Sequence, residues 1–131
     1  MKYVCLGFHE ERFFNGMSDA QRADFVEACF AYDDELRRNG HFVGGTALEG
    51  PQTAATLRFE NGKIAVTDGP FAETKEQLGG FLVVEASDLN EAIRLMSQHP
   101  CLRMGSTFEL RPINAELTDR LTERCAASAH A

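Results

Sequence analysis

Residues 66 to 81 of this 131-residue chain read Val-Thr-Asp-Gly-Pro-Phe-Ala-Glu-Thr-Lys-Glu-Gln-Leu-Gly-Gly-Phe, and no other stretch gathers as much chemical capacity. Asp68, Glu73, Lys75 and Glu76 are ionisable. A lysine between carboxylates, placed at a cleft, can bind or polarise a small anion or a carbonyl. Gly69 and Pro70 stiffen the path and Phe71 offers an aromatic anchor. A structural account stands beside the functional one. In it Asp68 accepts backbone N–H bonds in the turn, Phe71 plugs the core, and Glu73, Lys75 and Glu76 are solvated or paired.

Three further side chains could join such a cleft. Tyr32, on a predicted helix next to Asp33, can offer a hydroxyl while its ring fills the core. Arg58, on the strand face opposite Leu57 and Phe59, can meet a ligand or a cross-strand carboxylate. His9, at the end of the first strand beside Glu10 and Glu11, can act as an acid or base at the mouth of the fold. The four histidines, His9, His41, His99 and His130, stand in no i, i+4 relation and in no helical pairing with carboxylates, so spacing offers no metal site. No cofactor is indicated either. Gly44-Gly45 and Gly79-Gly80 lack a phosphate-loop context; close strand packing or room for a ligand explains them better. Cys5, Cys29, Cys101 and Cys125 form no C-x-x-C pair and read as free thiols. Cys5 and Cys29 fall on apolar faces, as inert small hydrophobes.

The elements that must position these groups follow from periodicity. Tyr3 to Phe8 is almost wholly apolar, as in a central strand. A helix follows, with Ser18 and Gln21 at capping-box spacing and Arg37-Arg38-Asn39-Gly40 as a cationic last turn with a glycine stop. Phe25, Ala28, Cys29, Tyr32 and Leu36 share one face of it, and Val26 and Phe30 lie off that stripe. Phe42 to Leu48 is a second strand. Thr56–Glu60 and Lys63–Thr67 flank Asn61-Gly62, the preferred type I′ hairpin turn, with Leu57, Phe59, Ile64 and Val66 on a face predicted to be buried. Phe81 to Val84 is a further apolar strand. Asp88 and Glu91 open a second helix that Pro100 ends, and Thr107 to Arg111 alternates as a last strand.

This order is the split β-α-β ferredoxin-like plan, an α+β fold enlarged by an inserted β-hairpin. Its two helices can cover only one face of the sheet, so the apolar second face predicts a homodimer packed sheet against sheet. The domain spans residues 1–113. Residues 114–131 form an extension in which Leu117, Leu121 and Cys125 predict a short helix with a frayed end.

Composition narrows the function classes. A net charge of −7 without a basic cluster argues against nucleic acid as a partner. No apolar run is long enough for a bilayer span and no signal peptide opens the chain, so the expected location is cytoplasmic.

The run from Val66 to Phe81, with Thr56-Leu57-Arg58 and Asn61-Gly62-Lys63 upstream, resembles the signature of the DGPF branch of the YCII-related family, over residues 2 to 113. The resemblance implies a bacterial protein, a dimeric α+β barrel and, from gene context, a partner of the sigma-factor type. In the wider family a histidine on the first helix works with an aspartate, and one member is a dehydrochlorinase acting on a chlorinated hydroquinone. The first helix here holds no histidine, so that chemistry is not carried over. Two functions are therefore expected to compete. One is small-molecule binding, or an enzyme of lyase or hydrolase type with a polar cleft near residues 68–71. The other is a non-catalytic regulatory module, with Val26, Phe30 and the tail as its surface.

Overall fold

Alternation of apolar residues builds one sheet and decides which of its faces is dry. The computed structural model describes residues 1–129. In chain order the elements are β1 (Lys2–His9), α1 (Glu11–Asn15), α2 (Asp19–Arg38), β2 (Phe42–Ala47), β3 (Ala55–Glu60), β4 (Lys63–Asp68), β5 (Gln77–Glu85), α3 (Leu89–Met96), α4 (Pro100–Arg103), β6 (Thr107–Pro112) and α5 (Ala115–Ala129). The main sheet is antiparallel with strand order β2-β5-β1-β6, the ferredoxin-like arrangement. The hairpin β3–β4 forms a separate two-stranded sheet.

Tyr3 and Cys5 of β1 point to the helical face with Val84 of β5, and there they meet Leu36 of α2 and Ala92, Leu95 and Met96 of α3. Residues of opposite parity, Val4, Leu6, Phe81 and Val83, are only half-buried. The helices thus seal one face, as the two-layer argument requires.

The local signals act as their chemistry dictates. Ser18 Oγ accepts from the Gln21 N–H at 3.1 Å while Gln21 Oε1 accepts from the Ser18 N–H at 2.8 Å, closing the capping box of α2. Asn61 and Gly62 both take positive φ, 52° and 78°, as a type I′ turn demands. Pro100 does not end α3, which stops at Met96; it occupies the first turn of α4, where its missing N–H costs nothing. The short helix α1, which carries Phe13 and Phe14, has no counterpart in the sequence-based expectation.

The hairpin is the main departure. Leu57, Phe59, Ile64 and Val66 pair across the strands on a common face, yet all remain 63–72% exposed. The turn sets the register, but among the described residues no element covers that face. Beyond β6 the chain continues as α5, on which Leu117 and Leu121 are exposed. His130 lies outside the described residues.

Candidate functional site

The charged connection between β4 and β5 is bound to its own backbone. The Gln77 side-chain amide donates to the carbonyls of Ala72 and Thr74 at 3.1 and 2.9 Å, and Thr74 Oγ1 donates to the Glu76 carbonyl at 2.6 Å. Lys75 Nζ lies 3.4 Å from Glu10 Oε1, and Thr107 Oγ1 donates to Glu76 Oε1 at 3.1 Å. Burial opposes ionisation of Glu10, but hydrogen bonds from Arg12 and Lys75 hold its carboxyl below the usual carboxylate range. Glu73 and Asp68 are exposed, and no hydrogen bond reaches the Asp68 carboxylate among the described residues. Gly69 adopts a φ of +96° and its N–H donates to the Ala54 carbonyl at 2.7 Å; the turn is held by backbone rather than by Asp68. Phe71 does not plug the core: it is 75% exposed, with the Arg58 guanidinium 5.6 Å from its ring centre in place of a cross-strand ion pair.

A concave site lies apart from this connection, where α2, the β1 end and the α3–α4 junction converge. A cavity of about 410 Å³, the size of a small-ligand pocket, is walled by Phe14, Phe25, Phe30, Phe42 and Phe108. Into this aromatic wall open His9, Asp33, His99, Cys29 and Cys101. Of the residues singled out for a cleft from sequence, His9 alone lines it. Asp68, Glu73, Lys75, Glu76 and Arg58 lie outside. Tyr32 does too: its hydroxyl donates to the Leu95 carbonyl, its ring packs edge-on against His99, and burial followed by the Glu35 charge pushes its ionisation up.

Asp33 and His99 form a pair that spacing could not reveal, being 66 residues apart. His99 is 2% exposed and caps α4, its Nδ1 accepting the Cys101 N–H at 3.3 Å. That bond leaves the ring hydrogen on Nε2, which donates to Asp33 Oδ1 at 3.1 Å. Spacing along the chain offered His99 no helical carboxylate partner, and the fold supplies Asp33 from a separate element. The histidine comes from the α3–α4 junction and only the aspartate from the long helix.

Cys29 has a polar neighbour that its apolar helix face did not announce. Its Sγ lies 2.8 Å from Cys101 Sγ, from an element 72 residues away. The S–H of Cys101 holds the Cys29 thiol below its ordinary range, and the same bond with burial pushes that of Cys101 up. Cys5, by contrast, is fully buried and pushed up to about 12 by desolvation, as an inert packing residue should be.

His9 is placed by glycine. Between Gly7 and Phe8 the β1–β5 register skips Gly79, which becomes the extra residue of a bulge. A Cβ on Gly79 would fall 2.1 Å from His9 Cε1, so the missing side chain is the space the ring occupies. Gly80 serves close strand packing, with Thr46 O 2.6 Å from a hypothetical Cβ. The His9 ring meets Phe14 edge-on at 4.6 Å. Burial lowers its pKa against the opposing pull of Glu11, so the neutral imidazole prevails at neutral pH.

Among the described residues no helix is long and apolar enough to cross a membrane. Sequence comparison finds the chain 31% identical over 117 residues to the uncharacterised protein R00369 of Rhizobium meliloti (strain 1021), covering 86% of this chain and 92% of the relative. A solved structure of 5-chloro-2-hydroxyhydroquinone dehydrochlorinase (TftG) from Burkholderia phenoliruptrix AC1100, in complex with 2,5-dihydroxybenzoquinone, aligns with a TM-score of 0.54. That alignment covers 87% of this chain and 94% of the other at 16% identity, a likeness of fold. The model of the YCII-related domain matches residues 1–115, and the chain belongs to the YCII-related family.

Proposed function

We propose that the chain is a small-molecule enzyme of lyase type, which eliminates HX from a compact oxygenated ring held in the aromatic cavity. The observation that carries this reading is the convergence of His9 and the Asp33–His99 pair on a cavity lined by several phenylalanines, with Asp34 and Arg37 also at its wall. A ring substrate can pack against that wall. His9, kept neutral by burial, takes the substrate proton; the electron pair left behind expels X as an anion, with no oxidant consumed. Asp33, anchored by His99 Nε2–H, accepts a substrate hydroxyl and fixes the ring against His9. The dehydrochlorinase of like fold lends support as analogy.

The test uses 5-chloro-2-hydroxyhydroquinone as substrate with chloride release as the signal, and 2,5-dihydroxybenzoquinone as ligand in a thermal-shift titration. Chloride release by the native protein, lost in folded His9→Gln and Asp33→Asn variants, supports the reading. Absence of both turnover and ligand stabilisation, or full retention of both in the two variants, would remove the cavity from this chemistry.

The same reading includes a homodimer. An isolated two-stranded hairpin is marginal in water, and one that shows Leu57, Phe59, Ile64 and Val66 to solvent calls for cover. The half-buried sheet face bearing Val4, Leu6 and Val83 calls for the same, and a second copy supplies both at once. Sedimentation of the native chain as a dimer at micromolar concentration, and of Phe59→Lys/Ile64→Lys as a folded monomer, is the expected result. A native monomer would refute it and leave the exposed apolar surface to a different protein, such as a partner of the sigma-factor type.

A further inference from the structure

We propose that Cys29, Cys101 and His99 form a three-ligand site for a thiophilic divalent cation, zinc above all, with its fourth position open to the cavity. One ligand atom from each of the three residues lies within 4.8 Å of the other two. Two thiolates and an imidazole are the donors that a borderline-soft ion selects over calcium or magnesium, and three protein ligands beside an open face is the arrangement of metal sites that bind water or substrate. The pieces are held by two elements. Cys29 projects from α2, Cys101 from α4, and His99 sits at the α4 cap, 2% exposed.

Binding asks for two adjustments, at the sulfur pair and at the His99 ring. Tetrahedral coordination with Zn–S bonds near 2.3 Å sets two sulfurs about 3.8 Å apart, so the 2.8 Å separation must open by about one ångström, within reach of a side-chain rotation. The Nδ1 lone pair, which now receives the long 3.3 Å bond from the Cys101 N–H, is the one that turns to the metal. On the far side of the ring Nε2–H already donates to Asp33, the carboxylate–histidine–metal relay that fixes tautomer and orientation. Both thiols release their protons to solvent as the ion binds. The bound ion would then face the aromatic cavity as a Lewis acid for a substrate oxygen, a capacity separate from proton transfer at His9.

The experiment measures metal uptake alone, on the full chain, reduced and freed of metal, with cobalt(II) as spectroscopic probe and zinc as competitor. Expected are one equivalent of cobalt, intense thiolate-to-cobalt charge-transfer absorption, and its disappearance on adding zinc. Cys29→Ser and Cys101→Ser, each confirmed as folded by circular dichroism, lose the charge-transfer band and at least tenfold in affinity. Asp33→Asn weakens binding 10–100-fold while keeping the band. Cys125→Ser leaves both unchanged. The proposal is overturned if the reduced native chain takes up no cobalt, or if the Cys29 and Cys101 variants bind it with native spectrum and affinity. A Cys29–Cys101 cross-link in the isolated protein, with no cobalt uptake after its reduction, would mark the thiols as a redox couple and equally reject the metal. Because no substrate is involved, a His9→Gln chain that has lost chloride release but keeps the cobalt spectrum separates this inference from the elimination reading.

Discussion

The β4–β5 connection and the aromatic cavity use the same kinds of side chain to opposite ends. In the connection Asp68, Glu73, Lys75 and Glu76 crowd into a few consecutive residues and remain in water or in exposed pairs. In the cavity Asp33, His99, Cys29 and Cys101 come from distant parts of the chain and sit half-buried or fully buried against one another. Ionisable groups adjacent in sequence are easily hydrated, and water screens what they could do. Groups that folding brings together are desolvated together, so each hydrogen bond between them counts for more. Density of charge along the sequence therefore did not mark the cavity, where a few polar atoms from separate elements converge.

The sharpest break of this comparison is Asp33→Asn, which should cut chloride release by roughly 10²–10⁴-fold while Lys75→Ala stays within about twofold of native. Equal losses in both would restore the connection to the site. Next is His99→Ala, which leaves the Asp33 carboxylate and the Cys101 N–H without their partner. It should destabilise the fold by about 2–3 kcal/mol in urea unfolding, and a change under 0.5 kcal/mol would show that the pair is not formed in solution.

A finer probe is Gly79→Ala. The added methyl drives the His9 ring from its seat, and dihydroxybenzoquinone binding should weaken about tenfold with the fold retained; titration calorimetry reads it. Smaller again is the pH dependence from His9. Burial lowers its folded-state pKa below the ordinary 6.5, so the unfolded chain binds more protons as pH falls through that value. Its contribution is therefore neutral above about pH 6.5, turns unfavourable on acidification, and levels off once the folded-state pKa is passed. His9→Gln should flatten that part of the stability profile, and identical profiles would mean that the ring is solvated. The least effect belongs to Glu73→Gln, for which thermal melting and ligand response should match the native chain.

Much of the fold could be read locally because its causes are local. The Ser18–Gln21 box and the Asn61-Gly62 turn are specified by backbone hydrogen bonds and dihedrals spanning three or four residues. Strand parity places Tyr3, Cys5 and Val84 on the dry face for the same reason. The candidate site was not legible in this way. Asp33 and His99 carry no motif, and the cysteines have no recognisable spacing when 72 residues separate them. Phe14 rides on a helix too short for periodicity to detect. Phe71 and the hairpin misled in the reverse direction, since alternation says that a face is apolar and not which molecule covers it.

The amino-acid sequence by itself determined the order of the strands and of the longer helices, the capping box, the hairpin turn, the sheet's apolar faces and the family. Those depend on short-range sterics and period-two or period-3.6 burial. Tertiary structure alone decided that a strand end, the middle of a long helix and the cap of a four-residue helix meet around one cavity, that Gly79 leaves room for His9, and that two cysteines touch. The reason is that a pairwise distance across the fold depends on how whole elements pack, and no residue's type or nearest neighbours encode that packing.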